Sequence, residues 1–175
     1  SKETALDYQN FLATCKGGSD IDASALKGTR LLCCDANKGD NDALTLDPRN
    51  KEMLSGITYL SDGIMEYQDT PPFDCFAIQN DIDKILRLNG KIDSEHICRQ
   101  DTSTQLVKHR KDVFQNTEQI CIDCLTRGIL TVEWLDSKIQ ECLSRERRED
   151  FAGVAIFVYK TYLNRLQERR HLQEG

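Results

Sequence analysis

The sequence predicts a mainly helical α+β fold, in which a turn-rich first part with a β-hairpin precedes a helical bundle. Three observations predict it. Residues 1–60 carry short apolar runs broken at Gly17-Gly18-Ser19-Asp20, Lys38-Gly39-Asp40-Asn41-Asp42 and Asp47-Pro48-Arg49-Asn50, a punctuation that suits loops around short elements. Two alternating stretches, Ile57–Leu60 and Ile64–Tyr67, flank Ser61-Asp62-Gly63. From Ile78 onward, apolar residues recur every three or four positions, the period of a helix with one buried face.

Taken in order, the alternation on either side of Ser61-Asp62-Gly63 reads as a β-hairpin, because a glycine-containing turn lets two strands fold back on each other. Asp69-Thr70-Pro71-Pro72 then interrupts regular structure and is the expected boundary between two units, 1–68 and 73–175. Ile78, Ile82, Ile85 and Leu86 mark a helix that Gly90 would cap. Leu106, Val113, Thr117, Ile120, Cys121, Cys124 and Leu125 fall on one face of a longer helix ending near Gly128. Thr131 is positioned as an N-cap for the helix carrying Trp134, Leu135, Lys138, Ile139 and Cys142. Phe151, Val154, Ala155, Val158, Tyr162, Leu163 and Leu166 mark a last helix of roughly seven turns. There is no internal repeat.

Composition narrows the function classes. The chain has 175 residues, enough to bury a core, and no apolar run of the ~18 residues that a membrane span needs. Its first residues lack the apolar centre of a secretory signal. Composition therefore points to a soluble, cytoplasmic protein. With 23 Lys and Arg against 29 Asp and Glu, the net charge is −6, so no whole-molecule field favours a polyanion. Contact with nucleic acid would need a local basic surface or a partner. The eight cysteines are many for an intracellular chain, which leans toward reduced thiols and a metal.

The cysteines divide by their surroundings. Cys121 and Cys124 form a CxxC within a helical apolar pattern and read as buried thiols; Cys75, Cys98 and Cys142 read as core or surface thiols. Cys15 and Cys34 lie in polar, turn-forming sequence, with Cys33 adjacent. Turns can bring thiolates together on a tetrahedral Zn²⁺, but two or three sulfurs leave such a site incomplete. Plain loop cysteines are the alternative.

The order of residues adds to this. Leu6-Asp7-Tyr8-Gln9-Asn10-Phe11-Leu12-Ala13-Thr14-Cys15 is followed by Cys34-Asp35-Ala36-Asn37-Lys38-Gly39-Asp40, then by Asp47-Pro48, Tyr59, Asp62-Gly63-Ile64 and Leu86-Arg87-Leu88-Asn89. This ordered set resembles the second half of the ββα-metal finger of the HNH endonucleases. It is most similar to the PtuB-like proteins of Septu and retron antiphage defence systems, over the first half of the chain.

The resemblance implies that residues 1–68 hold the C-terminal part of such a finger plus a hairpin, with 73–175 as a helical docking domain. It implies that Cys15 and Cys34 are structural zinc ligands. Asn10 would orient the catalytic loop through backbone hydrogen bonds. Asp35 stands where the family has Asn or His and could ligate catalytic Mg²⁺ or Mn²⁺, since hard cations take oxygen ligands. Lys38 could contact phosphate, or be a solvated lysine. The family's opening half, a first cysteine pair and an Asp-His whose histidine activates water, has no counterpart before Leu6. The reading therefore expects a segment preceding Ser1, with a degenerate finger as the alternative. His96, His109 and His171 do not follow an aspartate, and His109, within Lys108-His109-Arg110-Lys111, reads as part of a solvated helix face.

The implied function is metal-dependent hydrolysis of phosphodiester bonds in DNA or RNA, within a defence complex. The implied partners are a PtuA-like ABC- or SMC-type ATPase and, in retron systems, a reverse transcriptase with its RNA–DNA. The basic groups Lys108, Arg110, Lys111; Arg145, Arg147, Arg148; and Arg165, Arg169, Arg170 could track phosphates or simply form the wet side of amphipathic helices. Such helices also allow self-association. Two other classes stay open: a non-catalytic helical interaction protein with a relic zinc knuckle, and a secreted all-α protein with paired cysteines, which thiol titration would separate.

Overall fold

The computed structural model describes residues 17–18, 31–39, 42–95, 97–144 and 150–174. Helix α1 (Lys51–Ser55) starts where the Asn50 side chain accepts hydrogen bonds from the amides of Glu52 and Met53, satisfying donors that a helix start leaves open. Strands β1 (Ile57–Tyr59) and β2 (Met65–Tyr67) follow as an antiparallel hairpin with Thr58 opposite Glu66. Met65 and Tyr67 are buried and Glu66 between them is not, the period of two that a half-covered strand requires. The expected turn closes it: the Asp62 carboxylate accepts from Ile64 N at 3.1 Å. Gly63 adopts φ +91°, and a Cβ there would lie 2.2 Å from the Val107 carbonyl. Glycine is needed because this turn lies directly on the next long helix.

Asp74 caps helix α2 (Cys75–Asn80), which widens into a π-helical turn over Asp81–Ile85. Leu46, Met53, Met65, Tyr67, Ile78 and Ile82 form one apolar cluster. That cluster draws on both sides of Asp69–Pro72, so this stretch is a bend across which a single core continues. The expected cap at Gly90 is corrected: the helix ends at Ile85 with Leu86 as its C-cap, Arg87 beyond it takes φ +50°, and the Leu88 amide reaches back to the Ile82 carbonyl at 2.7 Å. Gly90 instead opens a second small hairpin, β3 (Lys91–Ile92) and β4 (Cys98–Gln100), with a register irregularity.

Helices α3 (Leu106–Thr126), α4 (Val132–Ser144) and α5 (Ala152–Glu174) match the periodicities in the sequence. Thr131 Oγ1 accepts from Trp134 N at 3.1 Å, as an N-cap should. Cys121, Cys124, Leu130, Leu135, Ile139 and Tyr159 make the bundle core. Ile120 and Leu125, expected on the buried face of α3, are 45% and 48% exposed. The face that packs is narrower and centres on Thr117, Cys121 and Cys124. Helix α5 also reaches the first unit, where Phe157 meets the Tyr59 ring edge-on at 5.6 Å. Among the described residues, no helix is long and apolar enough to cross a membrane.

Candidate functional site

The expected finger segment is a tight turn. Cys34–Ala36 forms one turn of 3-10 helix, closed by amides of Asn37 and Lys38 donating to the Cys34 carbonyl at 3.1 Å. Cys34 itself adopts φ +52°, the left-handed region that non-glycine residues rarely occupy. The turn docks on the end of the π-helical segment. Cys34 N donates to the Leu86 carbonyl at 2.7 Å, and the Asn37 side-chain amide donates to the carbonyls of Lys84 and Ile85 at 3.0 and 2.8 Å. Three consecutive carbonyls left open at a helix C-terminus are thus satisfied from outside. On the other side, Leu31 exchanges hydrogen bonds with Ser103, at 3.0 Å to its Oγ and 2.8 Å from its amide.

The cysteine sulfurs belong to this turn. Cys33 is fully buried, with its Sγ 3.4 Å from Thr104 Oγ1 and 3.8 Å from Cys34 Sγ. Two sulfurs each bound at ~2.3 Å to one tetrahedral ion lie about 3.8 Å apart, so this pair has a spacing that fits a soft metal. Cys33 N also donates to the Gly17 carbonyl at 3.1 Å, and Gly17 is so close that a Cβ would meet the Cys33 carbonyl at 1.8 Å. Among the described residues no three His, Cys, Asp or Glu side chains converge as a metal site. Asp35 is exposed on the turn, and Lys38 Nζ lies 3.3 Å from the Gly39 carbonyl. Asn10 and Cys15, expected to complete this site, lie outside the described residues, as do His96 and Arg145, Arg147 and Arg148.

A buried polar network, which sequence reasoning missed, holds the turn's platform together. Asn89 is fully buried; its side-chain oxygen accepts from Met65 N at 2.8 Å, and its amide donates to the Met65 carbonyl and to Asp83 at 2.8 and 2.7 Å. Arg110, expected on a solvated face, is corrected: it is 4% exposed. Its Nε donates to the Gly63 carbonyl at 2.7 Å, and Nη2 donates to Leu88 O and Asn89 Oδ1 at 2.8 and 3.1 Å. Burial pulls the guanidinium below its ordinary value, opposed by Tyr59, Asp101, Cys98 and Cys33 nearby. Asp81, also buried, accepts from the amides of Thr45 and Leu46 at 2.6 and 2.7 Å. One signal could have revealed Arg110: it falls in phase with Val107, Thr117, Cys121 and Cys124, on the buried stripe of α3.

His109 stacks on Phe151, with ring centroids 5.8 Å apart, and Lys108 pairs with Asp112 at 2.8 Å. Compared with protein families, characterised proteins and solved structures, the chain matches none.

Proposed function

We propose that this chain carries part of an HNH-type, metal-dependent endonuclease acting on DNA or RNA in the cytoplasm, with an ATPase as partner. The observation that supports this reading is spatial. Pieces of the ordered set that are distant in sequence lie together: Cys34 bonds Leu86, Gly63 and Asn89 share Arg110 as a partner, and Asn89 also bonds Met65, next to Ile64.

In this reading Cys34, with Cys33 alongside and Cys15, would hold structural zinc, which fixes loops in small fingers. Asp35 would present a carboxylate to the catalytic cation, whose chemistry is to offset charge on the scissile phosphate. Lys38 would face the strand, and Asn10 would hold the loop. No residue of this sequence is assigned to water activation. The second reading, a non-catalytic interaction protein with a relic knuckle, draws on Ile122, Leu125 and Ile129, each more than 40% exposed at the end of α3.

The test uses the natural full-length protein, with Mg²⁺ or Mn²⁺, plasmid and tRNA substrates, and any co-purifying ATPase. Cleavage should be lost on combining Asn10→Ala with Asp35→Ala, and Cys34→Ser should lower bound zinc by elemental analysis. Cleavage that persists in the double variant would remove the assigned site. Zinc absent from the intact protein would remove the knuckle.

A further inference from the structure

Helices α3 and α5 and the β1–β2 turn line a groove of about 310 Å³. It lies at the small end of the ~300–1,000 Å³ range of ligand pockets. Its walls are unusual for a molecule with few aromatics: Tyr59, Phe114, Phe157 and Tyr162 all line it, with Glu118 and Arg165 among them. All four residues are half-buried and line the groove with their neighbours. The Arg165 guanidinium carbon sits 5.6 Å from the centroid of the Tyr162 ring.

We propose that this groove binds an unpaired base of a nucleic-acid strand. Aromatic faces beside an arginine are what single-strand binders use, because every base has a π-face and every linkage a phosphate. The lining itself holds one cation, Arg165, and one carboxylate, Glu118, and a guanidinium beside an aromatic face suits a base and its phosphate better than an apolar peptide. Arg165 and Arg169, both exposed, lie four residues apart and so share one face of α5. Lys111, also exposed, lies one turn before Phe114, and its backbone packs beneath the hairpin turn at Gly63. Lys111 and Arg165 thus stand near the rings on the two helices, with Asp62 of the turn and Glu168 of α5 as exposed carboxylates beside them, while Glu118 offers an acceptor for a base amino group. The hairpin that supplies Tyr59 is the one Arg110 and Asn89 hold, so a strand on these rings would lie on the same unit as the Cys34 turn. The inference rests on the nuclease reading only for the reason a strand is present.

The experiment measures binding without cleavage. Short fluorescein-labelled single strands of DNA and of RNA, and the corresponding duplexes, are titrated with full-length protein in EDTA at low salt. Single strands should bind more tightly than duplexes, and the DNA and RNA arms identify the sugar preferred. Tyr162→Ala and Arg165→Glu should each weaken single-strand binding about tenfold or more, with Tyr162→Phe close to wild type. Arg165→Glu is a surface change, so it keeps the test readable if Tyr162→Ala fails to fold. Undetectable binding, or binding that neither substitution alters, would overturn the groove; the latter would also be the outcome if a protein side chain occupies it. A protein that binds through the groove yet never cleaves with Mg²⁺ or Mn²⁺ sinks the nuclease reading alone.

Discussion

Asn89 shows how much one side chain can decide. Its amide serves both backbone groups of Met65 and the carboxylate of Asp83, and its oxygen also accepts from Arg110. Replacing it with alanine would leave a buried cation, a carboxylate and two strand groups short of partners. Each orphaned polar group costs about 1–3 kcal/mol, more where charge is involved. Asn89→Ala should therefore destabilise the protein by about 3 kcal/mol, read as a lower urea midpoint with an unchanged slope. Its sequence, Leu86-Arg87-Leu88-Asn89, was legible as a motif but not as a keystone. Nothing local marks Asn89, because its partners lie 24, 6 and 21 residues away. The same holds for Asn37, whose amide reaches carbonyls nearly fifty positions downstream.

At the level of elements, long periodic stretches were readable and short ones were not. Helices α3, α4 and α5 bury repeated apolar stripes, and the first hairpin has alternation plus a turn that demands glycine. Strands β3 and β4, of two and three residues, lack the flanking alternation and tight glycine turn that marked the first hairpin, whose own strands are three residues each. Burial also gives the bundle a pH response. The Cys121 thiol is pushed up to about 12 from an ordinary value of 9, mainly by desolvation, and the Tyr159 hydroxyl to about 12 from 10. In the unfolded chain both ionise at their ordinary values, while the folded chain keeps its protons. Their contribution is thus full below pH 9 and is lost progressively between about pH 9 and 12. The thermal midpoint should fall through that window, and less steeply in Cys121→Ala. A midpoint flat up to pH 12 would contradict the burial of these groups.

For the whole molecule, helix α5 joins two apolar clusters. Val154 and Val158 are buried on it, Tyr159 packs in the bundle, and Phe157 meets Tyr59 of the first hairpin. Shared contacts of this kind make small proteins unfold in one step. Trp134, the only tryptophan, packs against the bundle core, whereas Asn89 belongs to the hairpin platform. Asn89→Ala should accordingly shift the Trp134 fluorescence transition and the circular-dichroism transition together. Two separated transitions would mean two independently folding units, with a break near Asp69–Pro72.

By itself, the sequence determined the mainly helical α+β class, the first hairpin and its turn, the spans of the three long helices, and the ordered motif behind the nuclease reading. These depend on local period and on turn or cap chemistry, which neighbouring residues carry. Only the tertiary structure decided that Arg110 is buried rather than wet, that one core runs across Asp69–Pro72, and that the Cys34 turn hangs on the carbonyls of Lys84, Ile85 and Leu86. It alone gathered Tyr59, Phe114, Phe157 and Tyr162 around one groove. The reason is the same in each case: a polar group finds its partners, and a ring its neighbours, only after distant segments have packed.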